Sequence, residues 1–568
     1  MNKTRRNTGK GQLRIMPLGG CNEIGLNMTV LECEGQILIV DCGQMFPEED
    51  MPGVDLVICD TTYLEKRLSQ VQGIVLTHGH EDHLGALPYI LPRLNVPVYG
   101  TTLTLGILGP KLAEYKLDET TDVRDVPQRE PRQIGAFSVE WVNVTHSIPN
   151  ASALIIRTPA GIVVFSGDYK IDYSPVDGRE FDFHALASVG EEGVLALLAD
   201  STNVHRPGPT PREASVIPAL EKYFQECEGS LVLATFASSL HRVQVCLNLA
   251  AKYGRKVYLS GLNMERNVRI AAELGFLDVP DDLLRPLKQY PRARPQKRMV
   301  LTTGSQGEPL SGLSRMALDS HKQVKVQPED TVILSARVIP GNERAIYRMV
   351  NHFFRRGARV IYEELAPVHA SGHAYSDDMR QLLSLVRPRF LIPVHGEMRH
   401  QLAHKDLAAG VGMKPEDVFV LGNGKALELR AGSRGLEHAQ GRILDEAIPA
   451  SRVLVDGSGI GDIHEVVLRD RLHLGEDGVI LVLLTIDRET AELLAGPEIV
   501  SRGFVYMDEN EALINEIRQV VLDTFNETEK ESREEWAVVK EAVRRAVRRF
   551  VKKRCQKFPI ILPVVTEI

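Results

Sequence analysis

The sequence predicts an α/β protein of several domains ending in a small α+β unit, and three observations predict it. Short apolar runs of strand length, such as "QILIV" and "GIVLT", alternate with helical stretches such as "TLGILGPKLAEYK". At 568 residues the chain exceeds what one core normally serves, so two to four domains are expected. A hydrophobic content of 43% with 25% charged residues is that of a globular chain.

The elements follow in order. "LRIMPLGG", "MTVLEC", "QILIVDCG" and "GIVLTHGH" open the chain as strands closed by turn residues. From about Val204 the texture changes. The Pro/Gly-rich "HRPGPTPREASVIPALEKYFQ" reads as a connection into a helix capped by a hydroxyl and a Glu at its start. Helix–strand units recur through "SLVLATFASSLHRVQVCLNLAAKYG", "KVYLSG", "KRMVLTTGSQGEP", "TVILSARVIPGN" and "RVIYEE", giving a second α/β unit to about Glu364. "RFLIPVHGEMRH" then resembles the strand ends of the first unit. Polarity rises and periodicity fades over residues 431–450, which reads as a linker. The final unit holds strands "GVILVLLTI", "EIVSRGFVY" and "PIILPVVTEI", with two helices between the last two. The last helix sets Trp536, Val539, Val543, Val547 and Phe550 on one stripe, the mark of packing.

A net charge of −8 does not advertise nucleic-acid binding, although local distribution sets the field a ligand meets. Two segments are locally basic, "RPLKQYPRARPQKR" and "VRRAVRRFVKKR". Seven cysteines without a CxxC argue against a disulfide framework and a cysteine zinc site. The opening "MNKTRRNTGKGQLRIM" lacks the apolar core of a signal peptide, and no apolar run approaches the roughly 18 residues of a membrane helix. A cytoplasmic location away from membranes is expected.

The chemistry concentrates in "IVLTHGHEDHLGALPYI", which sets His78, His80, Asp82 and His83 within six positions behind an apolar strand. Alternate residues of an extended loop project the same way, so His78 and His80 can share one ion. Asp82 and His83 can then reach a second ion beside it. Imidazoles with a few carboxylates suit zinc or manganese. A chance His-rich surface loop would need no further ligands, yet more stand at strand ends. These are His146 in "VNVTHSIPNA", Asp168 in "GIVVFSGDYK", placed to bridge, and His395 in "FLIPVHGEM".

"THGHEDHLGALP", His146, "SGDYK" and the early "VDCG" resemble the metallo-β-lactamase fold, a ββ sandwich flanked by helices. "LLADSTN" with Asp200, "PVHASGHA" with His373 and "IPVHGE" with His395 resemble the three motifs of the β-CASP nucleases. Their order, with "GGCNEIGLN", "TTGSQGEP", "IPGNERAI" and an extra C-terminal domain, is similar to the ribonuclease J family. The resemblance implies a metallo-β-lactamase domain built from residues 1–205 and 365–430, with a β-CASP α/β domain of residues 206–364 inserted. A linker of residues 431–450 and a C-terminal α+β domain of residues 451–568 would follow.

Residue by residue, the resemblance implies one ion on His78, His80 and His146 and a second on Asp82, His83 and His395, with Asp168 bridging. Asp41 would orient a ligand histidine from behind. Two divalent ions per chain are expected, zinc first, with manganese or magnesium as alternatives. Such a pair lowers the pKa of a shared water and clamps both oxygens of an in-line displacement at phosphorus. Asp82, Asp200 and His373 form the expected catalytic set, with His373 donating a proton to the leaving 3′ oxygen and Asp200 orienting it. Ser238, Ser239, His241 and Arg242, at a strand-to-helix junction, would hold RNA phosphates. So would His369, Ala370, Ser371, Gly372 and His373, and Ser305 of the "TGSQGEP" loop would touch the RNA.

The expected function is a metal-dependent 5′-to-3′ exoribonuclease preferring 5′-monophosphate ends, with endonucleolytic cleavage as a second mode, in rRNA maturation and mRNA decay. Expected partners are RNA, further copies of the chain in a homodimer or homotetramer, and an RNA-degradation complex. The alternatives are a DNA-processing β-CASP nuclease, a small-molecule hydrolase and a catalytically inactive RNA-binding scaffold. His395 speaks against the first, the large insertion against the second, and the full set of ligands against the third.

Overall fold

The structure, a computed structural model, describes residues 11–48, 50–339, 341–432, 435–457, 459–462, 465–488, 490–505, 510–528 and 536–568. The expectation about a leader concerns residues 1–10, outside the described residues, and Pro340 of "IPGNERAI" also lies outside them. The chain divides into two compact units. One is built from the chain up to Met45 and from Val57–Val453, the other from Phe46–Leu56 and Leu454–Ile568.

The first unit contains a sandwich of two sheets. Gln12–Gly19, Met28–Cys33 and Gln36–Val40 form an antiparallel meander that continues into Val71–Val75 and Val98–Gly100 by parallel pairing. The facing sheet runs from Phe137–Asn143 through Ser152–Thr158, Gly161–Phe165 and Val194–Asp200 to Phe390–Val394. Alternate residues of each strand share a face. Leu13, Ile15, Leu31, Leu38 and Val40 of one sheet therefore close against Leu154, Ile156, Val163, Leu198 and Ile392 of the other. Trp141, fully buried, fills this core, and its Nε1 donates to the Leu76 carbonyl at 2.9 Å.

Between Asp200 and Phe390 lies a six-stranded parallel sheet. Its four central strands are Lys256–Ser260, Arg298–Thr302, Leu231–Ala234 and Thr331–Leu334. Both faces are covered, as a parallel sheet requires. Leu231, Leu233, Leu301 and Ile333 pack on one side with the helices Leu240–Lys252 and Leu262–Glu273. Val232, Ala234, Val300 and Val332 pack on the other with Gly312–Ala317 and Glu343–Arg355. The C-terminal ends of three of these strands lead into Thr235–Ser239, Thr303–Ser305 and Ser335.

In the second unit the strands Leu493–Arg502, Val479–Ile486 and Ile560–Glu567 form a sheet with Val479–Ile486 central. Ile480, Val482, Leu484 and Ile486 pack against Ile514, Ile517, Val521 and Phe525 of one helix and Val539, Val543, Val547 and Val551 of another.

Three readings of the sequence need correction. The stripe of the last helix runs through Val551, whereas Trp536 is 51% exposed and Phe550 only partly buried. The linker reading of residues 431–450 gives way over Gln440–Ala447 to a strand paired with Lys425–Arg430; its side chains are mostly exposed, which removed the apolar alternation. Residues 433 and 434 lie outside the described ones. The helix Ile217–Glu226 has no side-chain cap, because the 3-10 turn Glu213–Val216 puts Val216 at the cap position, while Ser215 bonds the Arg212 carbonyl and Glu213 pairs with Arg242.

Candidate metal centre

Strand ends bring the site together. His78 follows Val71–Val75, His146 follows Phe137–Asn143, Asp168 follows Gly161–Phe165, and Asp200 and His395 end neighbouring parallel strands in which Asp200 pairs with Val394. Asp82 and His83 lie on the one-turn helix Glu81–Leu84. Three overlapping clusters result, each with its ligand atoms within 4.8 Å of one another: His78, His80, His146 and Asp168; Asp82, His83, Asp168 and His395; and Asp168, Asp200, His373 and His395. Asp168 belongs to all three.

The imidazoles are aimed. In four of them Nδ1 is held by a protein group: His78 by the Thr77 hydroxyl (3.0 Å), His83 by Asp41 (2.8 Å), His146 by the Gly372 carbonyl (2.7 Å) and His395 by the Thr202 hydroxyl (2.6 Å). Each bond fixes the ring and leaves Nε2 directed inward. The four Nε2 atoms stand 3.6, 3.3, 3.8 and 3.9 Å from Asp168 Oδ2. His80 is reversed, with Nδ1 3.2 Å from His146 Nε2 and Nε2 facing the Ser147 hydroxyl. His78 Nε2 is buried without a hydrogen-bond partner, a position that a cation would satisfy.

Asp41 stands behind these ligands. It accepts the Thr77 amide at 2.8 Å and the Thr77 hydroxyl at 2.9 Å, as well as His83 Nδ1. Asp41 (φ 59°) and His395 (φ 52°) both adopt left-handed backbone, a strain of about 1–3 kcal/mol each. Gly372 has a different constraint: a Cβ there would lie 2.7 Å from His146 Cε1, so only glycine lets its carbonyl reach that ring.

Electrostatics split the histidines. Burial pushes His78 and His146 well below the ordinary range and His80 to about 4, so they are neutral donors. Burial also disfavours charge on His83 and His395, but Asp168 and the nearby carboxylates outweigh it and raise both well above the ordinary value. His373 is raised too, burial being outweighed by Asp200 and then Asp168. Burial would raise the three carboxylates, yet the histidines hold Asp168, Asp82 and Asp200 well below the usual range.

His373 Nδ1 meets Asp200 Oδ2 at 2.8 Å, and the other oxygen of Asp200 takes the Thr202 amide and hydroxyl. Ser371 accepts from Asn203 Nδ2 (2.8 Å) and the His373 amide (3.2 Å). His369 and Ala370, with Ser371, line a cavity of about 420 Å³ together with Arg337, Glu364 and Tyr375. Ser238 and Ser239 are half-buried at the start of Leu240–Lys252.

The other expected RNA contacts are corrected. Arg242 is 2% exposed and spends its guanidinium on Glu213, Ser335 and the Val368 carbonyl. His241 is buried, with Nδ1 on the His146 carbonyl and Nε2 3.2 Å from Asp177. Ser305 is buried as well. The sequence places His241 and Arg242 near the start of a helix but does not show which side chains there turn inward. Thr202, Asn203, Thr77, Lys170 and Glu213 were missed, although Thr77 and Lys170 stand inside "THGHEDH" and "SGDYK" and Thr202 and Asn203 beside Asp200 in "DSTN".

Known families match segment by segment. The metallo-β-lactamase superfamily matches residues 23–201, and the ribonuclease J β-CASP domain matches residues 228–353. The Zn-dependent metallo-hydrolase RNA specificity domain matches residues 357–421, and the ribonuclease J C-terminal domain matches residues 466–568. Ribonuclease J2 of Bacillus subtilis (strain 168) is 38% identical over 98% of this chain and 99% of its own length. Ribonuclease J of Thermus thermophilus is 40% identical over 98% of this chain and 95% of its own. Ribonuclease J of a Synechocystis species is 42% identical over 88% and 77%. A crystal structure of a protein of unknown function from Enterococcus faecalis V583 shares the fold, with a TM-score of 0.50 over 76% of this chain at 15% identity. Near full-length likeness, a matching domain order and the convergence of imidazoles on Asp168 together place this chain in the ribonuclease J family.

Proposed function

We propose that this chain is a two-ion ribonuclease that hydrolyses RNA phosphodiesters, removing nucleotides from 5′-monophosphate ends in the 5′-to-3′ direction and also cutting internally. The observation that carries the reading is the set of four anchored imidazoles whose Nε2 atoms converge on Asp168 Oδ2. The donor set fits divalent cations, since imidazoles and carboxylates surround a buried nitrogen that has no other partner. His78, His80 and His146 would hold one ion, Asp82, His83 and His395 the other, and Asp168 both. Zinc suits the nitrogen-rich set, with manganese or magnesium as alternatives. Bound there, the ions supply an acidified water and positive charge for the phosphoryl oxygens.

The protein's own part is proton handling and placement. The pKa of His373 is held above its ordinary value by Asp200 against the effect of burial, its side chain is 23% exposed, and it is the group placed to donate to a leaving 3′ oxygen. Asn203 holds the Ser371–His373 loop, through the Ser371 hydroxyl and the His373 carbonyl. Assembly into a homodimer or homotetramer and work within an RNA-degradation complex in the cytoplasm accord with this reading. Among the described residues no helix is long and apolar enough to cross a membrane.

The test is incubation of purified chain and divalent metal with 5′-labelled monophosphorylated RNA and with DNA of the same sequence. Mononucleotide release from RNA, abolished by a chelator, is expected. Equal cleavage of DNA would favour a DNA-processing nuclease, and no cleavage of either in a metal-loaded protein would leave a binding scaffold.

A further inference from the structure

The helix Glu343–Arg355 buries Ile346, Met349, Val350 and Phe353 beside the parallel sheet. At 3.6 residues per turn, Arg344, Arg348 and Arg355 fall on a stripe about 40° wide, opposite the buried face. All three are exposed, and among the described residues none has a carboxylate or other side-chain partner. The helix's one acid, Glu343, is its first residue and takes the Gly341 amide at 2.8 Å. Elsewhere in the domain exposed cations are of both kinds: Lys252 pairs with Glu221 and Arg359 with Glu226, whereas Lys288, Arg292, Arg294 and Lys297 have no acidic side-chain partner among the described residues. What distinguishes the three arginines is their alignment on one face of one helix, in a chain of net charge −8.

Two rings border the stripe. Tyr347 is 38% exposed and Phe354 48%, both on the same flank of the arginines. The Tyr347 hydroxyl donates to Glu364 at 2.9 Å, and Glu364 lines the cavity shared with His369 and Ser371. The stripe thus starts beside the cavity that adjoins the His373 loop and extends over roughly 16 Å of helix.

We propose that this face is a track for the body of a single-stranded RNA whose reacting end lies at the metal centre. The guanidinium groups take successive phosphates, and the rings of Tyr347 and Phe354 offer platforms on which bases stack without sequence preference. An acidic protein would meet the same arginines but would leave the flanking rings without a role. The proposal rests on the ribonuclease reading and adds a second contact region to it.

The experiment compares the unmodified chain with Arg344→Gln/Arg348→Gln/Arg355→Gln and with Phe354→Ser. Rates are measured on an unstructured RNA of about thirty nucleotides and on a trinucleotide too short to run the length of the stripe. Binding of the long RNA is measured in chelator across salt concentrations. For the triple variant, KM for the long RNA should rise about tenfold with kcat kept, and the trinucleotide should be cleaved as before. Its slope of log affinity against log salt should be shallower by about 2, from about 0.7 per phosphate contact at three sites. Phe354→Ser should weaken long-RNA binding without changing that slope. An unchanged salt slope and KM would overturn the track, as would equal loss on both substrates. Retained RNA affinity with lost binding to polyglutamate would also overturn it, in favour of an acidic protein. If the unmodified chain cleaves neither RNA, the ribonuclease reading fails, while the chelated binding measurement still tests the track.

Discussion

Thr202 Oγ1 lies 2.6 Å from His395 Nδ1 and 2.6 Å from Asp200 Oδ1, so one hydroxyl joins a metal-facing imidazole to the carboxylate that charges His373. Under the proposed roles, proton donor and ion ligand are thereby oriented through one residue.

This separates chemistry from ion binding. His373→Ala should keep its full metal content yet lose cleavage by roughly 10²–10⁴-fold at saturating RNA. Elemental analysis beside kcat checks both halves. Because Asp200 holds the His373 pKa above its ordinary value, the acid form persists to higher pH, and activity falls as pH rises through that raised value. Asp200→Asn removes the raising charge. The alkaline limb of its pH–rate profile should move to lower pH.

The ions themselves should respond site by site. His80→Ala should chiefly deplete one ion, His395→Ala the other and Asp168→Asn both, each with an unchanged thermal melt of the metal-free protein. Undiminished metal in His80→Ala would reject the assignment. The carboxylates hold His83 and His395 above the ordinary imidazole value, whereas burial holds His78, His80 and His146 below it, so binding at His83 and His395 has more protons to displace. Metal titrations should therefore release protons mainly with the second ion, and its affinity should climb more steeply with pH. Calorimetry in two buffers of different ionisation enthalpy reads that release. Thr202→Val, losing the hydroxyl on His395, should weaken that ion by about 10–100-fold.

Glu213 ties the site together from below. It bonds Arg242 at 2.7 Å and Lys170 at 3.3 Å, both buried, and Arg242 holds the Val368 carbonyl just before the His369–His373 loop. Burial would raise the Glu213 pKa, but Arg242 and Lys170 bring it from 4.5 to about 2. A depressed carboxylate adds stability that is full above its unfolded value and fades as pH falls through the folded one. The protein should thus lose roughly 3 kcal/mol from this group between about pH 4.5 and pH 2. Denaturant unfolding from pH 6 downward should show that loss, and Glu213→Gln should remove this part of the pH dependence. It should also lower stability at pH 7, because two buried cations lose their partner.

The candidate ligands that the structure brings together were legible because their pattern is local. His78, His80, Asp82 and His83 share one loop, and each remaining ligand ends an apolar strand. Sheet strands buried on both faces read clearly for the same reason. Partnerships made across the chain were not legible: nothing near Arg242 in sequence announces Glu213, 29 residues away, or Val368. Helix Glu465–Glu476 was missed because Val466, Val467 and Leu474 are exposed rather than aligned on a buried stripe. The strand Gln440–Ala447 was missed because its polar surface mimics a connection.

The last prediction concerns the RNA end. The cavity of about 420 Å³ beside His373 has one cation in its wall, Arg337, whose Nη1 donates to Asn203 at 3.0 Å, and two carboxylates, Glu363 and Glu364. The Ser371 hydroxyl already accepts two hydrogen bonds, from Asn203 and His373, which leaves its own proton for an outside acceptor. A hydroxyl donor and one guanidinium suit a single phosphate group. A triphosphate brings further negative charge towards the two glutamates and finds no further cation among the lining residues. Monophosphorylated RNA should therefore be degraded to mononucleotides at least about tenfold faster than its triphosphorylated counterpart. Arg337→Gln and Ser371→Ala should each narrow that ratio, while internal cleavage of circular RNA, which has no end to read, should be spared in Arg337→Gln. Equal rates on the two ends in the unmodified chain would show that the cavity does not select the end.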